Sequence, residues 1–154
     1  MSLHQRQFAV LGNPIQHSLS PFIHEQFARQ FGHAISYSRQ LLERDSFAQY
    51  VRDFFADGGG GLNVTVPFKL LAHDCADWLH ESAEQAAAAN TLAFGKNGLE
   101  AWNTDGAGLV NDLMGRCGQA VAAKKILILG AGGAAQGIIG PLLASGPASL
   151  TIAN

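Results

Sequence analysis

The stretch Lys124-Lys125-Ile126-Leu127-Ile128-Leu129-Gly130-Ala131-Gly132-Gly133-Ala134-Ala135 decides the fold class. Its apolar run Ile126 to Leu129 has the pattern of a strand buried on both faces of a parallel sheet. Glycines follow at once in the spacing G-x-G-x-x-A, and a helical pattern then runs to about Ala144, with a bend point at Gly140-Pro141. Strand, glycine turn and helix in that order are the context a dinucleotide fingerprint requires, although a bare turn shares the spacing. Gly130 permits the tight turn, Gly132 lets the backbone approach a pyrophosphate, and the small Ala135 allows helix and strand to pack closely. The free N–H groups of the helix start supply the anion site. Ser149 to Ala153 is the next strand, followed by Asn154. NAD-binding versions of this unit place an acid near that point to hold the ribose 2′-hydroxyl, so an asparagine there leans towards NADP. One βαβ unit of ~30 residues is less than a nucleotide domain, and the sequence reads as cut within one.

Composition is that of a globular α/β chain. Of 154 residues, 47% are hydrophobic and 14% charged, with 18 glycines. The charged share lies below the usual ~25%, which favours buried strands and tight turns. With a net charge of −2 and interspersed signs, nothing suggests a nucleic-acid groove or a membrane-binding face. Cys75 and Cys117 lie in no CxxC or Cys/His spacing, so neither a disulfide framework nor structural zinc is expected, and a reducing cytoplasm is the natural compartment. His73 and His80 lack the spacing of a metal-ligand pair. Met1-Ser2-Leu3 is compatible with an expression scar.

Upstream, Gln7 to Leu11 reads as a short buried strand leading into Gly12-Asn13-Pro14. Ser20 before Pro21 is a helix start, with serine as cap and proline at the first helical position, and the helix covers Phe22 to Phe31. Ile23, Phe27 and Phe31 share one face at a spacing of four and are expected in the core. Gly32 closes the helix. Ser18 and Ser20 place two hydroxyls beside a helix N-terminus, where an anion such as a carboxylate is favoured; capping alone accounts for Ser20 and leaves Ser18 unexplained. Ile35 to Leu42 is a second strand, with Ile35, Tyr37 and Arg39 on one face. Glu43 to Phe55 is helical, with the core stripe Phe47, Tyr50, Val51 and Phe54, and Asp57 to Gly61 is a glycine-rich turn.

Next comes Gly61-Leu62-Asn63-Val64-Thr65-Val66-Pro67-Phe68-Lys69. Residues two apart in a strand point the same way, so Asn63 and Thr65 align, and Pro67 ends the ladder just before a lysine. Two readings stand: hydrogen-bonding groups and a cation converging on a polyhydroxylated or anionic small molecule, or an edge strand with a solvated lysine. The chain after Lys69 is mostly helical to about Ala89. Asn90-Thr91-Leu92 opens a hairpin, Leu92 to Phe94 and Leu99 to Trp102, around Lys96-Asn97-Gly98. Asn103-Thr104-Asp105-Gly106 ends it, and a helix runs to about Met114. Asp105 is either an acid at a helix start or a carboxylate at a cleft.

Taken in order, Gly12-Asn13-Pro14 with Ser18-Leu19-Ser20-Pro21, Asn63 to Lys69, Asn90-Thr91-Leu92, Asn103 to Gly106 and Gly130 to Ala134 resemble the motifs of the shikimate dehydrogenases. The resemblance covers Phe8 to Asn154 and implies NADPH-dependent, reversible reduction of 3-dehydroshikimate to shikimate in aromatic amino acid (chorismate) biosynthesis. A quinate/shikimate dehydrogenase preferring NAD shares most of these motifs, and a shikimate-binding module without catalysis is the reading from another class. By matched motif, Ser18 and Ser20 would bind the substrate carboxylate, Thr65, Asn90 and Asp105 the ring hydroxyls, and Asn63 would support the site. Lys69, paired with Asp105, would be the catalytic acid/base. Gly130, Ala131, Gly132, Gly133 and Ala134 would bind the NADP pyrophosphate. Glu81 falls where the family has an acidic residue near the cofactor, a much weaker match; taken alone it reads as part of a solvated helix face. Asn154 resembles the start of an Asn-Arg-Thr segment whose arginine would grip the 2′-phosphate; neither that arginine nor a C-terminal substrate-binding glutamine is in the sequence. Ala87 stands where relatives often carry glycine. The expected architecture is α/β: a substrate-binding and catalytic domain over residues 1–105, a connecting helix and linker over 106–123, and the first part of a Rossmann domain over 124–154. A soluble monomer or homodimer acting on a small molecule is implied.

Overall fold

The computed structural model describes residues 5–154, so Met1-Ser2-Leu3 lies outside the described residues. In chain order the elements are β1 (Arg6–Gly12), α1 (Ser20–Gln30), β2 (Ile35–Leu41), a 3-10 turn (Arg44–Ser46), α2 (Phe47–Ala56), β3 (Gly61–Val64) and α3 (Lys69–Asp74). Then follow β4 (Trp78–Leu79), α4 (Glu81–Ala86), β5 (Thr91–Gly95), β6 (Gly98–Trp102), α5 (Asp105–Asn111), a π-helical turn (Asp112–Arg116), β7 (Lys125–Leu129), α6 (Gly133–Ala144) and β8 (Ser149–Ala153).

The first six strands form one sheet in the order β2-β1-β3-β5-β6-β4, and β7 and β8 form a separate parallel pair. β3 is parallel to β1 and antiparallel to β5. The stretch around Asn63 is therefore a central strand, which removes the edge-strand reading. Its apolar residues Leu62 and Val64 join Leu11, Phe47, Val51, Phe68 and Leu92 in the main core. The expected stripe on α2 packs there: Phe47 and Val51 are buried, with Tyr50 and Phe54 against them. A second core under β7 and β8 gathers Ile128, Ala135 and Leu142 with Leu109 and Leu113.

Three expectations need correcting. On α1, Ile23, Phe27 and Phe31 are 42%, 53% and 68% exposed, whereas Pro21 and Ala28 are buried. A spacing of four identifies a stripe but not the side on which the sheet lies. Here the sheet takes the line of small residues, with the half-buried His24 stacked on Tyr37 at 4.6 Å. The cap also differs: Ser20 is the first helical residue, and its own N–H donates to Ser18 Oγ at 3.3 Å. Finally, the segment after Lys69 is not one helix. The Asp77 N–H donates to the Leu99 carbonyl at 2.8 Å and Asp77 Oδ2 accepts from the Leu99 N–H at 2.7 Å, which fixes β4 beside β6. Long-range pairing overrides local helix propensity there. A smaller difference lies at the end of α5, where the backbone continues past Asn111 as a π turn rather than as regular helix to Met114.

Candidate functional site

Lys69 is the first residue of α3 and Asp105 the first of α5. Their side chains meet, Lys69 Nζ to Asp105 Oδ2 at 2.5 Å, and both are largely withdrawn from solvent, 12% and 25% exposed. Asp105 suits a helix start, whereas a lysine there opposes the dipole. The ion pair offsets that cost and points both groups to one place. Asn90 Nδ2 donates to Asp105 Oδ1 at 2.8 Å, so the carboxylate is held from two sides. Asn90 is itself fixed, because its Oδ1 accepts from the Thr104 N–H and the Thr91 hydroxyl. The Ala89 N–H donates to the Lys69 carbonyl, and the Val64 N–H to that of Asn90. Lysine, asparagine and aspartate thus arise from three separate segments tied together through main chain.

Asn63, at the end of β3, accepts from the Tyr37 hydroxyl at 2.6 Å, while its Nδ2 makes only long contacts of 3.4 Å to the Asn90 carbonyl and Thr91 Oγ1. Tyr37 thereby sets the amide's orientation and leaves its donor the less committed end. Burial pushes the Tyr37 phenol far above its ordinary range. The Arg39 guanidinium donates to the Ser18 carbonyl at 2.8 Å and anchors the serine loop. Ser18, Ser20 and Thr65 line one pocket of about 310 Å³, together with His17. Composition and spacing had singled out neither Tyr37 nor Arg39 as more than one face of a strand. The signal available was that face itself, because residues 35, 37 and 39 must all point to the side that carries the loop.

A second pocket of about 370 Å³ is lined by Lys69, Asp105, Gly130, Gly132 and Ala134. The residues there fit a dinucleotide pyrophosphate. Gly130 adopts φ +100°, which only glycine takes without strain, and a Cβ on Gly132 would enter open space at the start of α6. A Cβ on Gly133 would stand 3.5 Å from Lys69 Cβ, so the helix start lies against the lysine. Asn154 follows β8, next to the point where the Gly130 N–H donates to the Ala153 carbonyl at 2.6 Å. Glu81, at the start of α4, accepts from Gln85 at 2.8 Å and does not line this pocket. Two close approaches seat α6 on the rest of the chain: a Cβ on Gly106 would collide with the Gly137 carbonyl and Pro141, and one on Gly137 with the Asn103 amide.

Fold and site together define an α/β small-molecule-binding unit with the opening of a dinucleotide-binding unit at its side. The family model of the shikimate dehydrogenase substrate binding domain matches residues 10–92. The chain belongs to that family. A shikimate dehydrogenase (NADP(+)) of Aromatoleum aromaticum is 51% identical over 148 residues, which is 96% of this chain and 53% of that protein. A shikimate dehydrogenase solved in complex with NADP+ aligns with a TM-score of 0.89 at 29% identity, over 97% of this chain and 51% of that one. The Thermus thermophilus enzyme in complex with shikimate aligns with a TM-score of 0.88 at 28% identity, over 97% and 57%. The chain thus spans about half the length of the relatives it matches. Among the described residues, no helix is long and apolar enough to cross a membrane.

Proposed function

We propose that this chain carries the substrate site, and the start of the cofactor site, of an enzyme that reversibly reduces 3-dehydroshikimate to shikimate with NADPH. The observation that carries the reading is the Lys69–Asp105 pair, held by Asn90 and facing the glycine turn across one pocket. When bound, the reduced nicotinamide supplies a hydride. The protein's part is the proton and the charge. A ketone gaining a hydride develops negative charge on oxygen, and the Lys69 ammonium offers that oxygen both a positive charge and a proton. Asp105 holds the ammonium in place, and in the reverse direction the lysine accepts the proton back. Ser18 and Ser20 would receive the substrate carboxylate, with Asn63, Thr65, Asn90 and Asp105 on the ring hydroxyls. Gly130 to Ala134 would hold the pyrophosphate, Asn154 leans the choice towards NADP, and Glu81 is assigned to the cofactor side by family resemblance only. The boundaries at residues 105 and 124, a cytoplasmic location and a monomer or homodimer belong to the same proposal.

Exchanging Lys69→Ala in a version of full family length tests the assignment. Turnover is expected to fall by about 10²–10⁴-fold while shikimate affinity changes much less; near-normal rates would refute the catalytic role. Titration of that version with NADPH and NADH separates the NADP reading from an NAD-preferring quinate/shikimate dehydrogenase. One reading from another class is a shikimate-binding module without catalysis. Calorimetry of the 154-residue chain with shikimate, run beside an activity assay, decides: measurable turnover removes the binding-only view.

A further inference from the structure

Apart from the Tyr37 phenol, Asn103 is the one buried polar side chain among the described residues, 5% exposed. A buried amide is tolerated where its hydrogen bonds are met, and here they run in different directions. Its Nδ2 donates to the Ala88 carbonyl at 3.0 Å, its Oδ1 accepts from the Asp105 N–H at 3.1 Å, and its main-chain N–H donates to Ser82 Oγ at 3.1 Å. Ala88 lies in the turn that delivers Asn90, and Asn90 grips the Asp105 carboxylate at 2.8 Å. One amide therefore sets both the main chain of Asp105 and the turn that carries its partner.

The remaining side of that amide is closed by α6. A Cβ on Gly137 would stand 2.8 Å from Asn103 Oδ1 and 2.9 Å from Nδ2, so there is no spare volume between them. The same helix begins at the glycine turn, where Gly133 lies against Lys69. Close-packed contacts pass on displacement rather than absorb it.

We propose that Asn103 is a positioning residue that ties the seating of α6 to the placement of Asp105 and Asn90. A shift of α6 is carried through Gly137 onto the amide, and from the amide to the carboxylate that orients Lys69. The consequence for turnover rests on the function proposed above; the mechanical link does not.

The test is a set of ¹H–¹⁵N spectra of the 154-residue chain, read at the side-chain amide pair of Asn90. Gly137→Ala is expected to move that pair by several line widths. In an Asn103→Ala background the same exchange is expected to add nothing, because the methyl enters space the amide has left. No movement in the first case, or equal movement in both, overturns the proposal. If Gly137→Ala does not give a folded spectrum, Asn103→Asp decides. It keeps the acceptor for the Asp105 N–H and loses the donor to Ala88, so the Asn90 pair is expected to shift while β1 and β2 resonances stay; an unmoved pair overturns the proposal. NADP+ titration separates the two claims. Movement at Gly130 to Ala134 and at Asn90 is expected in the native chain, and at Gly130 to Ala134 alone in Asn103→Ala. Retained movement at Asn90 in that variant overturns the link, whereas no movement at Gly130 to Ala134 in the native chain counts against the nucleotide reading and leaves the substitution series to decide on Asn103.

Discussion

A lysine at the first position of a helix and a tyrosine buried behind an asparagine are costly choices in an otherwise ordinary core. Tyr37 loses solvent and in return orients Asn63 through a 2.6 Å hydrogen bond. Tyr37→Phe removes the donor and frees the Asn63 amide to turn. On the function proposed above, shikimate affinity is expected to fall by about tenfold, the worth of a typical buried hydrogen bond; calorimetry with unchanged affinity would refute the positioning. His24, stacked on Tyr37, has its pKa lowered from 6.5 by burial. The unfolded chain therefore binds a proton that the folded chain resists, so stability is fullest above about pH 6.5 and declines as pH falls towards the lower folded value. His24→Phe keeps a ring there and is expected to flatten that acid-side decline in urea titrations, whereas an unchanged slope would remove His24 as its source. Ala87 sits at φ 45° and ψ 34° in the turn before Asn90. Ala87→Gly is expected to stabilise the fold by about 0.5–1 kcal/mol, because an alanine pays for a left-handed backbone that glycine adopts freely; an unchanged or lower melting temperature would count against this.

Between elements, glycine positions mark where helices touch. Gly106 on α5 faces the Gly137 carbonyl and the Pro141 ring, and the backbone oxygen cannot swing aside. Gly108, in the same helix, would meet nothing within 4 Å. The two exchanges to alanine should therefore differ in sign. Gly106→Ala is expected to cost about 1–3 kcal/mol by overpacking, and Gly108→Ala to add about 0.5–1 kcal/mol from helix propensity. Equal effects in denaturant titrations would refute the α5–α6 contact. A glycine inside a helix is visible in sequence, but which one faces a partner helix is not. The strands were legible because their apolar runs are bounded by turn residues, as with the hairpin around Asn97-Gly98. The break of the 69–89 segment was not, since β4 exists only through its pairing with β6.

Over the whole molecule, the two sheets differ in how well they are covered. Within these 154 residues the six-stranded sheet encloses the larger core, whereas among the described residues β7 and β8 pair only with each other and leave Leu127 and Leu129 at 61% and 79% exposure. Parallel strands are normally buried on both faces, and a two-stranded unit is marginal by itself. Amide exchange is accordingly expected to be faster in β7 and β8 than in β1 and β3, with the difference read as lower local opening free energy; equal protection would show the pair to be as stable as the main sheet.

The sequence by itself determined the α/β class, the strand–glycine turn–helix unit at Gly130, and the candidate residues Ser18, Ser20, Asn63, Thr65, Lys69, Asn90 and Asp105. The class, that unit and the placing of the polar groups at loop, strand and helix ends follow from local rules, in which glycine, proline and apolar period each act over a few residues. Asn90 as a candidate, and the roles of the set, came from the resemblance to the shikimate dehydrogenase motifs. Tertiary structure decided which faces are inside and which groups meet. It exposed Phe27 and Phe31, made β3 central, brought Lys69 to Asp105 across 36 positions, and set Tyr37 and Asn103 behind the site. Burial and pairing depend on what lies across the gap, and a linear pattern names only one side of each contact.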